Sequence, residues 1–403
     1  MRPRRRAAGL VFGAIVLFVV GTNVQAGWLF VIAALLLGAL IAGLVLPFRM
    51  VRSVEVAREA PERVHQGDAV RVTLTVTNRS RGMRVSLVVR DPFLADTDMF
   101  VSHLAPGERV ELVTAREASR RGPQGAEGVV LRSDAPFAVA ERRRRIRAAG
   151  RVLVLPRVEE LGDLPFVERA PTHERALRSA PRRGAGPEYL GIREYRPGDS
   201  MRHVHWPSTA RLGAVMVREF EEETTRRLAI VVDTLTDVGE AWTPLDAACS
   251  AAVSVGLAAA ARGQGVRLVV REAGEVAVTS PGEEGLLDSL AAIEPDGWGV
   301  AATAAELRGA LNGMESTLLV LPTWRANDLE AVGPAVRDLA EETGRVAVLL
   351  VDAATRGAPP EACLPAAALS ALEAALSGAG ASVYRWFADE PLVEAFARVA
   401  VPA

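Results

Sequence analysis

Three patterns of apolar and polar positions succeed one another along the chain. Residues 7–24 and 28–48 are apolar and carry no charge, runs of about 18 and about 21 residues that each approach the length needed to cross a hydrocarbon core. They predict a transmembrane helical hairpin joined by the uncharged loop 23–27. From 51 to about 157 the period falls to two, in short β-rich runs at 54–56, 70–77, 84–90, 109–114 and 128–132, with turn clusters at 78–82 and 105–108. Strands at this spacing predict an immunoglobulin-like β-sandwich, without the cysteine pair or central tryptophan of an antibody domain. From 228 onward, continuous apolar strands at 228–233, 266–271, 317–321, 346–352 and 382–387 alternate with helical segments at 244–261, 283–293, 304–311, 327–342, 366–377 and 391–399. That alternation predicts a doubly wound parallel sheet with functional loops at the carboxyl ends of its strands. The fold class is therefore α/β plus β, divided as 1–50, 51–157, a linker and polar segment at 158–227, and 228–403.

Charge adds an orientation. Arg2, Arg4, Arg5 and Arg6 precede the hairpin and Arg49, Arg52 and Arg58 follow it, so the positive-inside rule puts both flanks in the cytoplasm and the chain in the inner membrane, with two spans and its larger domains cytoplasmic. A cleavable secretory signal ending near Val24-Gln25-Ala26 is the rival reading, and it leaves the bulk of the chain on the same side. Arg142–Arg145 reads as a solvated hairpin tip or as a contact with anionic headgroups.

Composition removes whole classes of chemistry. All 47 basic residues are arginine, so a Walker-type phosphate loop, a Schiff-base lysine and a Ser-x-x-Lys nucleophile are excluded. The net charge of −2 gives no nucleic-acid signal. Cys249 and Cys363 match no metal or redox spacing.

The densest chemistry lies between Arg182 and Glu223. Arg193, Glu194, Tyr195, Gly198, Asp199, Arg202, His205, Trp206, Ala210, Arg211, Gly213, Val217, Arg218, Glu219 and Phe220 fall in order on the pattern R-E-Y-x-P-G-D, R-x-I-H/D-W, A-R-x-G, V-R-E-F-E. This resembles the signature of the bacterial domain-of-unknown-function family 58. The resemblance implies a small β-sandwich before the signature, where Ser133-Asp134-Ala135-Pro136-Phe137 looks like the family's S-D-P-F-G segment, and a von Willebrand factor type A-like domain after it. It also implies a partner, because family members are typically encoded beside MoxR-type AAA+ ATPases.

Metal-binding type A domains carry Asp-x-Ser-x-Ser after the first strand, where hard oxygens hold a cation. Here those positions are Asp233, Leu235 and Asp237. Leu235 cannot coordinate, so the loop reads as degenerate and no metal or other cofactor is expected.

The signature supplies acid–base groups in Glu188, Glu194, Asp199, His203, His205 and Glu219, and anion-holding groups in Arg193, Arg202, Arg211 and Arg218. No Gly-x-Ser-x-Gly elbow or Cys–His pair accompanies them, and no catalytic residue is assigned. The expected role is a paired network in which Arg193, Glu194, Asp199, Arg202, Trp206 and Arg211 anchor the segment to the α/β domain, or else a partner-binding surface. The sequence thus predicts a membrane-anchored cytoplasmic interaction or assembly module, an adaptor of a MoxR-type ATPase contacting the bilayer and no nucleic acid. An uncharacterised hydrolase using the His/Asp/Glu/Arg cluster and an envelope-linked scaffold are the alternatives.

Overall fold

The computed structural model describes residues 2–3, 5–94, 98–162, 164–166, 183–195, 204–221, 227–239, 241–272, 275–297, 299, 304–311, 314–325, 329–343 and 345–398. The chain forms two compact units, Met1–Arg157 and Val158–Ala403.

In the first unit, α1 (Arg5–Val24) and α2 (Gly27–Val51) are both long and apolar enough to cross a membrane. They meet through small residues. A methyl group at Gly21 would lie 3.2 Å from Leu29 Cβ, and Phe18 packs edge-on against Phe30 with ring centroids 5.4 Å apart. Their outer faces leave Phe12, Ile15, Leu35 and Ile41 more than half exposed.

Strands β1 (Val54–Glu59), β3 (Ala69–Asn78) and β6 (Arg109–Glu117) form one antiparallel sheet in the order β1-β3-β6. The second sheet has the order β8-β7-β4-β5, from β4 (Arg84–Arg90), β5 (Asp98–Leu104), β7 (Gly122–Ser133) and β8 (Ala140–Leu155), and the short β2 (Arg63–His65) pairs with β8 in parallel. Alternate residues turn inward: Val70, Val72, Leu74 and Val76 from β3 join Leu87, Val89, Val129, Leu131, Val152 and Val154 in one core. This is the period-two pattern realised.

Across that core runs a buried ion pair that the pattern does not announce. Arg58 on β1 donates to both oxygens of Asp91, through Nε at 3.1 Å and Nη2 at 2.5 Å, and neither side chain is exposed. Its remaining Nη1 donates to the carbonyls of Ala126 on β7 and Ala148 on β8, at 2.8 and 2.7 Å. One guanidinium therefore joins both sheets. Gly150 makes the room, because a Cβ there would lie 2.6 Å from Arg58 Cδ.

The arginine run 142–145 is not a hairpin tip. It lies inside β8, where Arg142–Arg145 pair with Ser133–Val130 of β7. Strand pairing uses the backbone, and charged side chains on a strand near a sheet edge also discourage wrong pairing. Arg142 covers the Phe48 ring at 4.4 Å, Arg144 donates to the Val51 carbonyl at the end of α2 at 3.0 Å, and Arg143 pairs with Glu141.

In the second unit, a two-stranded ribbon of β9 (Arg183–Glu194) and β10 (Met216–Glu221), with α3 (Trp206–Leu212) between its strands, precedes a six-stranded sheet. The sheet strands are β11 (Arg227–Val232), β12 (Gly265–Glu272), β13 (Glu275–Thr279), β14 (Ser316–Pro322), β15 (Arg345–Val351) and β16 (Ser382–Trp386), in the order β13-β12-β11-β14-β15-β16. All pairs are parallel except β12 with the edge strand β13. Among the described residues, helices cover the two faces: α4 (Pro244–Ala260), α5 (Glu283–Ala292) and α9 (Leu392–Ala397) on one, α6 (Ala304–Leu311), α7 (Leu329–Thr343) and α8 (Ala366–Gly378) on the other. Strand residues divide between the layers, Leu228, Ile230 and Val232 toward the first and Ala229 and Val231 toward the second. Helix α4 lies close to the sheet because its residues are small. A Cβ at Gly256 would lie 3.3 Å from Ile230 Cδ1 on β11.

Removing one member of the Arg58–Asp91 pair strands the other in the core, a loss on the order of 3–5 kcal/mol. Arg58→Ala is therefore expected to lower the denaturation midpoint of the β unit sharply, while Arg79→Ala, whose partner Glu55 is exposed, changes it by less than about 1 kcal/mol. Denaturant titration of the two variants checks the contrast.

Candidate functional site

The two ends of the linear signature are the two strands of the ribbon. Ile192 pairs with Arg218, Arg193 with Val217 and Glu194 with Met216, and bulges interrupt the ladder on either side of Tyr189. Between them the chain folds into α3, and the signature residues there build that helix. His205 is its N-cap: Ser208 N–H donates to His205 Nδ1 at 3.3 Å, and Ser208 Oγ lies 2.8 Å from the same nitrogen. Pro207 suits the first turn, where no amide donor is needed. Gly213 ends the helix at φ 72°, a left-handed conformation, and donates its N–H to Thr209 O at 3.0 Å. The Thr209 hydroxyl donates to His205 O at 3.1 Å and accepts from Met216 N at 3.0 Å, tying the helix to β10.

This accounts for two signature positions. The histidine ahead of the tryptophan is the helix N-cap, its unprotonated ring nitrogen accepting from a first-turn amide. The glycine of A-R-x-G is the helix stop. Trp206 is 66% exposed, Arg211 and Leu212 are exposed and Tyr195 is at 36%. Trp206 and Arg211 are therefore not buried: in the seven-residue α3, Ser208 faces the protein and these two side chains face out. Glu194 is exposed. Gly198, Asp199, Arg202 and His203 lie outside the described residues, as do the side chains of Glu188, Arg193, Arg218 and Glu219.

The second candidate region is the carboxyl edge of the sheet, at the reversal of strand order between β11 and β14, where open α/β sheets bind ligands. Here the polar groups are used by the fold. Asp233 is 2% exposed and accepts from Leu235 N at 3.1 Å. Asp237 accepts from Thr243 Oγ1 at 2.7 Å and from Leu245 N at 3.3 Å, so its extra charge sits at the positive N-terminal end of α4. Thr243 and Asp246 complete a capping box on that helix. Thr234 donates to Asp296 at 2.6 Å. Trp324, 1% exposed, fills the space after β14 with Ala353, Ala358 and Cys363, and Val238 packs against them. Among the described residues no group of three His, Cys, Asp and Glu side chains converges as a metal set.

Farther along the edge lies an arrangement that no sequence motif marks. Asp352 accepts from Arg385 Nε and Nη2 at 3.1 and 2.5 Å and from Thr355 N at 3.0 Å. Arg356 stacks on Trp386 at 4.1 Å. Burial pushes the Arg356 guanidinium down to about 10, with Glu159 and Asp352 opposing the shift. It remains a cation at neutral pH. The buried Cys363 thiol is pushed up by its burial and by Asp352 and Glu361, which suppresses the thiolate that nucleophilic chemistry needs.

Residues 191–368 match the family model described as protein of unknown function DUF58. Over that stretch the chain is similar to the DUF58 family. None of the curated proteins matches it. Among solved structures, the CARDB domain from Pyrococcus furiosus is 13% identical over 25% of this chain and 95% of its own, with a TM-score of 0.17. The exo-β-N-acetylglucosaminidase of Vibrio harveyi is 8% identical over 75% of this chain and 59% of its own, with a TM-score of 0.19. Likenesses this weak define no common fold.

If His205 serves as a cap, His205→Ala loses about 1 kcal/mol from the local stability of α3, and His205→Asp recovers it. Hydrogen exchange over residues 206–212 should accelerate in the first variant and stay near the parent rate in the second.

Proposed function

We propose that this protein is a membrane-anchored interaction module that docks a partner through the outward face of α3. The observation that carries the reading is Trp206, 66% exposed on a helix capped at both ends. An amphipathic aromatic held rigidly in water is the side chain most often found at the energetic centre of an interface. Arg211, exposed on the same helix, adds a bidentate donor. The partner is a MoxR-type AAA+ ATPase, on the strength of the family resemblance, and the chain acts as its adaptor.

The finer fold assignments belong to the same proposal. Two facing, mainly antiparallel sheets around one core support an immunoglobulin-like sandwich, and the sheet order with its antiparallel edge supports a type A-like α/β domain. The filled carboxyl edge suits an adaptor that presents surfaces. The arginines flanking α1 and α2 support two spans in the inner membrane with both flanks cytoplasmic.

Trp206→Ala and Arg211→Ala should change unfolding free energy by less than about 0.5 kcal/mol, as exposed positions do. Each should still weaken capture of the purified ATPase by at least about tenfold, the loss of a contact worth ~1.4 kcal/mol. Undiminished binding in both variants rejects α3 as the docking site. For the topology, a reporter active only outside the cytoplasm and fused after Ala403 should stay silent, and a strong signal reverses the orientation.

A further inference from the structure

The β unit begins before α2 has left its apolar segment. Gly43, Pro47 and Val51, spaced four apart on one stripe of α2, are all buried. Gly43 is covered by the segment leading into β8: a methyl group in its place would meet Val139 Cγ2 at 2.6 Å and Phe137 Cβ at 3.6 Å. Gly43 precedes Phe48, the last apolar residue before Arg49, by about 7.5 Å along the axis at ~1.5 Å per residue. At that level the other sides of α2 are open, with Ile41 55% and Val45 53% exposed. Phe137 is itself 46% exposed.

Above this point the surface turns basic. Arg142 covers Phe48, and Arg49 and Arg52 are exposed on and just past the end of the helix. Arg84, which opens β4, is held below its ordinary value by burial and by the charge of Arg49. Met83 beside it is 56% exposed. Apolar tips beneath a ring of like charge are what a protein presents to the boundary between acyl chains and anionic headgroups.

We propose that the base of the β unit is a membrane-insertion surface, with Phe137 entering the interfacial layer beside Gly43 and with Arg49, Arg52 and Arg142 at the lipid phosphates. This rests on α1 and α2 spanning the bilayer. The unit is then seated on the membrane and held in one orientation, because only Arg52 and Ser53 separate α2 from β1.

The test places an environment-sensitive fluorophore on single cysteines in the full chain, reconstituted in vesicles of phosphatidylcholine and phosphatidylglycerol carrying nitroxide lipids. Cys249 and Cys363 are buried and are replaced by serine. Phe137→Cys probes the insertion surface, Leu37→Cys the lipid-facing middle of α2, and Glu117→Cys the far end of the sandwich, where β6 pairs with the start of β3. Quenching at 137 by half or more with a nitroxide near the headgroup, together with quenching at 37 by a deep nitroxide and none at 117, is the expected result. Quenching at 37 without quenching at 137 overturns the insertion surface and leaves the spans intact. No quenching at either position overturns both.

Discussion

The Arg58–Asp91 pair is the interaction on which the β unit depends. A charge taken out of water has to be met by protein groups of matching geometry, and this one is met by a carboxylate beside one sheet and by two carbonyls within it. That requirement fixes the distance between the sheets at one end of the core and explains the glycine at 150. A lysine could not satisfy three separate acceptors with a planar fork. In this chain, which uses arginine alone, the guanidinium has become a structural brace in the core.

The same rule governs the α/β unit. Asp237 looks out of place as a would-be metal ligand and fits as a helix cap. Asp352 is met by Arg385, here through one carboxylate oxygen and with the guanidinium partly exposed. The carboxylates of Asp233 and Asp237 accept from the loop's own amides and hydroxyl. Trp324 packs after β14 against Ala353, Ala358 and Cys363.

How much of this was legible in the sequence follows from which interactions are local. Apolar runs such as 228–233 and 346–352 became β11 and β15 within one residue, because a strand buried on both faces carries its signal in every position. The helical segment expected from 244 became α4, which starts at Pro244. The arginine run in β8 misled, since charge patterning says nothing about backbone pairing. β13 has only five residues and lies at an edge, with Val278 41% exposed, so its pattern was too short to separate from a loop. Arg58 was unreadable for a different reason: its partners lie 33, 68 and 90 residues away, and nothing local distinguishes a braced arginine from a solvated one.

The signature occupies the middle ground, and this bears on what it does. Its residue types suggested acid–base chemistry, yet those described in full divide between building and display. His205, Thr209 and Gly213 are consumed in shaping α3, and Trp206 and Arg211 are left in water by that shape. A helix of seven residues is too short to persist on propensity alone, so two caps and a side-chain tether are a large investment in fixing it. Such an investment is excessive for a connector, and it is what a rigid presentation of one aromatic side chain requires.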